Sequence, residues 1–331
     1  MIPSTPRQDA SGSMRSLLLG AALLVLAFLA NTAQSAFGKA LGSGMGPVQF
    51  TWLTFVIALA LILPWVLWRG GRDLRTSVPL LHLLRSCTGL TGFFLFITAA
   101  RLVNLVNANV LLNTTPLFIP LLGLLVLGQQ VPRALWGCLG IGFAGMVIVV
   151  QPNASLLTRP GDLLGLAAGL LCAVEFLAVK RLDRTEAPLT QMIYFLLIGS
   201  AGSTVAILGP LRPEGPSSAL LGGLDTSQWL TVLASGVCLA CFQFLLIKAY
   251  TYAEPGAIGA FQYSSVVFAG LIGWIWFAEK PTLAVWVGTA LITLGGVLSI
   301  VLQRPGGTET AAPSGAAGMA TAADTSSTPS A

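Results

Sequence analysis

The chain has 331 residues, of which 55% are hydrophobic and only 9% charged, against about 25% charged in an ordinary soluble domain. So few charges would leave large apolar patches facing water, which excludes a soluble globule and points to a bilayer as solvent. The net charge of +5 does not mark a nucleic-acid surface, because the 17 Lys and Arg stand singly or in small groups between apolar segments.

A spanning helix needs about 20 mainly apolar residues. In chain order such runs occupy 16–38, 47–68, 80–101, 104–127, 133–150, 161–181, 189–210, 228–250, 255–278 and 282–302. The predicted fold class is therefore an all-α integral membrane protein with ten transmembrane helices. The first run follows Arg7 and Arg15 and ends near Ala33-Gln34-Ser35-Ala36, as a secretory signal would. Its removal would leave nine spans and break the internal repeat, so it is read as the first span.

Sliding the chain by 150 residues aligns 83–150 with 233–300 without a gap and gives twelve identical pairs, including Phe94/Phe244, Phe118/Phe268, Gly123/Gly273, Trp136/Trp286 and Gly145/Gly295. Each half then holds five spans, an odd number, so the second half enters the membrane in the opposite sense. Two inverted five-helix repeats are the expected architecture, the arrangement in which transporters place a solute site near the midplane. The expected organisation is a cytoplasmic N-terminal segment 1–15, a first repeat 16–151, a second repeat 160–303 and a disordered cytoplasmic tail 304–331. With the N-terminus inside, twelve of the 17 basic residues fall on the cytoplasmic side, so both termini are expected there. The plasma membrane, the inner one in a bacterial cell, is the expected location.

Polar groups within the spans are the candidate path residues. Asn109, Asn113, Pro116 and Pro120 recur at i, i+4, i+7 and i+11 and share one helix face. The repeat sets Tyr263 against Asn113, beside Gln262, Ser264 and Ser265. Gln243 lies near mid-membrane, and Asn31 and Gln34 lie toward the outer side. Lining the path and bonding helix to helix are both open readings for these groups. Glu175 is the one carboxylate well inside an apolar run, roughly 7–8 Å deeper than Lys180. Arg85 and Lys248 reach the same side and are its candidate ion-pair partners. A structural pair, a solute contact and a proton-coupling carboxylate are its three readings. His82 is expected at the cytoplasmic edge.

Five cysteines, Cys87, Cys138, Cys172, Cys238 and Cys241, lie inside apolar segments and give no disulfide framework. Cys238-Leu-Ala-Cys241 has metal-site spacing, but the chain holds one His and no second pair, so small packing residues are the reading. No metal or cofactor is expected. A catalytic constellation at span depth is missing for the same reason, which argues against an intramembrane enzyme.

The segment Phe277-Ala278-Glu279-Lys280-Pro281-Thr282, followed by Trp286-Val287-Gly288 and Leu294-Gly295-Gly296-Val297, resembles the EamA-type branch of the drug/metabolite transporter (DMT) superfamily. The first half repeats the pattern as Leu127-Gly128-Gln129-Gln130-Val131-Pro132, Trp136-Gly137 and Ala144-Gly145-Met146-Val147, and Asn107-Ala108 through Thr115-Pro116-Leu117-Phe118 adds a second match. The resemblance covers 16–303. Gln129 departs from it, standing where the family shows Glu. The resemblance implies that helices one to four and six to nine surround the path while five and ten support them. The expected function is transport of a small metabolite or drug-like solute between two inverted halves, with export as the expected direction. A channel or a non-transporting scaffold is the alternative. The expected partners are the solute, the lipid bilayer and a second copy in a homodimer, with no nucleic acid.

Overall fold

The computed structural model describes residues 10–41, 45–68, 75–102, 111–128, 132–151, 160–209, 224–278 and 282–302. Asn109, Gln129, Glu279 and residues 303–331 lie outside these residues. Among the described residues ten longer helices follow one another: α1 (Ala10–Ala40), α2 (Pro47–Trp68), α3 (Pro79–Leu102), α4 (Thr115–Leu127), α5 (Arg133–Val150), α6 (Pro160–Leu182), α7 (Pro188–Leu208), α8 (Thr226–Tyr252), α9 (Ser264–Phe277) and α10 (Leu283–Val301). A one-turn helix (Pro255–Ile258) and a 3₁₀ turn (Gly259–Tyr263) precede α9 and complete its span. No strand occurs among the described residues. Eight of the described helical segments are long and apolar enough to cross a membrane, Thr115–Leu125 is a shorter one, and α3 has 24 residues.

Local chemistry sets the helix ends. Proline opens α2, α3, α6 and α7, where its missing N–H costs no hydrogen bond. A capping box opens α8: the Gln228 N–H donates to Asp225 Oδ1 at 2.8 Å, and the Asp225 N–H donates to Gln228 Oε1 at 3.1 Å. The Gln228 N–H and the Ser227 hydroxyl hold the exposed Asp225 carboxyl below the usual carboxylate range. Pro64 and Pro120 sit inside α2 and α4, a placement that membrane helices tolerate.

The two halves are copies at the level of backbone angles. Helix α4 ends at Gly128 (φ 63°), whose N–H donates to the Gly123 carbonyl; α9 ends at Ala278 (φ 55°), whose N–H donates to the Gly273 carbonyl. Both pairs differ by 150 residues. So do the first residues of α5 and α10, Arg133 and Leu283. The inner helices are broken at the same register: a turn at Asn113–Thr114 precedes α4, and the 3₁₀ turn ending at Tyr263 precedes α9.

Packing repeats the relation. Helix α1 lies along α8 as α6 lies along α3, α1 meets α9 as α6 meets α4, and α2 meets α8 as α7 meets α3. The pairs α2·α7 and α5·α10 map onto themselves. In the α5·α10 seam a Cβ on Gly145 would lie 2.7 Å from the Gly288 carbonyl oxygen, and one on Gly295 would lie 2.7 Å from the Cys138 carbonyl oxygen. Cys138 and Gly288 are themselves 150 apart, so the two contacts are one contact related by a pseudo-twofold axis. Each half contributes helices to the principal core, where Leu24, Ala27 and Phe28 of α1 meet Phe176 and Val179 of α6, Leu196 of α7 and Phe242, Leu246 and Tyr250 of α8. Trp65, Trp68, Ile275 and Leu283 turn outward, an apolar exterior suited to lipid.

Candidate functional site

Arg85 lies six residues into α3, about 9 Å along the helix from its start, with 0% of its surface exposed. One guanidinium nitrogen (Nη1) donates to the Gln191 carbonyl oxygen of α7 at 2.9 Å, and the other (Nη2) donates to Gln243 Oε1 of α8 at 2.8 Å. The plane sits over the Phe195 ring at 4.9 Å from its centroid, a cation–π contact. Three helices from both halves therefore hold one cation. Its Nε is buried with no hydrogen-bond partner, and so is Gln191 Oε1.

Glu175 of α6 is 6% exposed and lies near Arg85. Its carboxylate sits over Gly89, one helical turn beyond Arg85 on the same face of α3. A Cβ on Gly89 would lie 2.7 Å from Glu175 Oε2, so this approach requires a glycine. Arg85 and Glu175 are electrostatic neighbours but share no hydrogen bond. Among the described residues the Glu175 carboxylate has no hydrogen-bond partner, and no ion pair joins it to Lys248. Lys180 instead donates to the Tyr250 carbonyl at 2.7 Å and lies 3.4 Å from Glu254 Oε1, a partly exposed pair of small energetic weight.

The other candidates divide. Gln262 Nε2 donates to the buried Tyr250 hydroxyl at 3.2 Å, next to Phe176, whose ring meets Tyr250 edge-on at 6.0 Å. Tyr263 goes elsewhere. It is fully buried against Gly142, Met146 and Ile292 in the α5·α10 seam, with the Phe143 ring at 6.4 Å and no partner for its hydroxyl. Asn113 is half-buried in the turn before α4, where Thr115 Oγ1 donates to the Gly169 carbonyl at 3.0 Å and ties the break to α6. Asn31 is half-buried on α1, and Gln34 Oε1 is buried without a partner. His82, three residues into α3, is 1% exposed and stacks on Tyr194 at 4.4 Å. Cys238 and Cys241 are free thiols, and no metal-binding cluster occurs among the described residues.

Gln191, Phe195, Tyr250 and Gly89 complete the site and carry no sequence signal of their own. Phe195 and Tyr250 read as ordinary apolar core, and Gln191 stands close enough to Pro188 to pass for a helix end. The α7 register against Arg85 was the missing information.

Two inverted five-helix halves with an apolar exterior are the architecture of a membrane solute carrier. The EamA-like transporter family matches residues 18–151 and again 159–301, and the chain belongs to that family. It is 28% identical over 286 residues to the riboflavin transporter of Vibrio cholerae (86% of this chain, 90% of that one). It is 23% identical to the S-adenosylmethionine uptake transporter of Rickettsia felis (85% and 92%) and 25% identical to a pseudopaline exporter of Pseudomonas aeruginosa (85% and 93%). A solved crystal structure shares the fold with a TM-score of 0.73 at 22% identity, over 88% of this chain and 98% of that one. The chain is thus a multi-pass membrane transporter and not an enzyme.

Proposed function

We propose that the chain carries a flat heteroaromatic metabolite of the riboflavin type across the plasma membrane, through the cluster around Arg85, Glu175, Gln191 and Gln243. One observation carries this reading: the polar cluster is flanked by Phe176, Phe195 and Tyr250 at the junction of α3, α6, α7 and α8. Aromatic faces suit a flat ring, while a few placed polar groups read its edge. The identity to riboflavin transporters, one from Vibrio cholerae and one from Brucella anthropi at 29%, supports the same class. Export is the direction carried over from the sequence, and the named relatives include both uptake and export proteins. The distribution of the basic residues supports a cytoplasmic location for both termini; reporter fusions at each end and near residue 212 check this, and a C-terminal fusion found outside contradicts it.

The test uses cells that make riboflavin but do not take it up, with and without expression of the chain. Flavin fluorescence in cells and medium should redistribute with expression, toward the medium for export. Glu175→Gln at equal membrane abundance should remove the effect. A flavin distribution that ignores expression contradicts the proposed solute.

A further inference from the structure

The unused hydrogen-bonding capacity of the site says what kind of solute edge it accepts. Arg85 has five N–H donors. One on each terminal nitrogen is taken by the Gln191 carbonyl and Gln243 Oε1, while the buried Nε–H has no partner. A buried unpaired donor is costly and rare in a native fold. The Glu175 carboxylate has spare acceptor sites and no hydrogen-bond partner among the described residues.

Were the two groups a purely structural pair, the favoured arrangement would be a forked Arg–carboxylate bridge that saturates both. The fold keeps them apart instead. Gln191, Gln243 and Phe195 fix the guanidinium from α7 and α8, and Gly89 seats the carboxylate one turn away on the same face of α3. A donor and an acceptor are thereby held side by side with their remaining capacity unspent.

We infer that Arg85 and Glu175 together read a cyclic imide or lactam edge, Arg85 donating to the solute carbonyl and Glu175 accepting from the adjacent ring N–H. An amino-acid zwitterion also presents donor and acceptor. The surroundings disfavour it: Phe176, Phe195, Phe242 and Tyr250 form an apolar wall, and a neutral ring loses far less hydration on entering it than two full charges do. Gly89 is the positioning residue, because any side chain there displaces the carboxylate.

This inference rests on the carrier reading above but not on riboflavin as the solute. The test is fluorescence titration of the full chain in lipid nanodiscs with lumichrome and lumazine, each alongside its N3-methyl derivative, which lacks the imide N–H. The unmethylated rings should bind about tenfold or more tightly than the methylated ones, the loss expected when a hydrogen bond to a charged group is removed. Glu175→Leu, which lacks an acceptor, and Gly89→Ala should each abolish that preference, with thermal melting curves showing the variants folded. Equal binding of methylated and unmethylated rings, no binding of either, a preference that survives in folded Glu175→Leu, or displacement of the rings by leucine at lower concentration would overturn the inference. Imide preference without riboflavin flux in cells would refute only the named solute, and flux without imide preference would refute only this inference.

Discussion

Tyr263 and Arg85 are both fully buried polar side chains, and the structure separates their roles. The Tyr263 hydroxyl has no partner, while its ring fills the seam beside Gly142, Met146 and Ile292. Removing the hydroxyl therefore removes nothing that is bonded. Tyr263→Phe should leave abundance and transport near normal, whereas Tyr263→Ala opens a cavity costing on the order of 3–5 kcal/mol and should lower abundance. Quantitative membrane blotting with transport normalised per molecule checks both. A Tyr263→Phe variant that folds but does not transport would place the hydroxyl in the path. At this scale the sequence was informative about charge and depth: Glu175 and Arg85 stand out as ions in apolar runs. It could not show that Gly89 makes the room for the carboxylate, since that depends on the register of α6 against α3. Nor could it separate Tyr263 from Gln262, adjacent residues whose side chains leave the 3₁₀ turn toward different neighbours.

Among elements, the pseudo-twofold is the dominant fact. Its sequence trace was twelve identical pairs at one shift, and its structural form is shared caps, shared helix breaks and reciprocal close contacts. Helix identity and approximate ends were legible because apolar run length and proline-opened starts are local properties. The breaks at Asn113–Thr114 and Gly259–Tyr263 were not legible. A prolonged apolar run reads as continuous helix even where bonding shifts to a turn. The seam yields an element-level expectation. Gly145 and Gly295 occupy equivalent positions, so Gly145→Val and Gly295→Val should destabilise to a similar degree, on the order of a few kcal/mol each, because backbone stands within contact of the added carbon. Melting temperatures of the two variants in one detergent measure this. A large loss in one and none in the other would contradict the symmetry of the seam.

For the whole molecule, the account holds that two inverted halves enclose one site and expose it to each side in turn. Helices α3 and α6 through α8 build that site, and α5 and α10 pair as the support the family resemblance implies. Carriers with such a site show solute exchange: solute on the far side speeds the return of the empty site, which a continuously open channel cannot do. The most direct measurement is efflux of the fluorescent ring solute from vesicles reconstituted with the purified chain, with and without unlabelled solute outside. The account predicts saturable efflux that external solute accelerates, lost in Glu175→Gln protein of equal reconstituted amount. Efflux that rises linearly with solute and ignores the far side, or that is unchanged in Glu175→Gln, would contradict it.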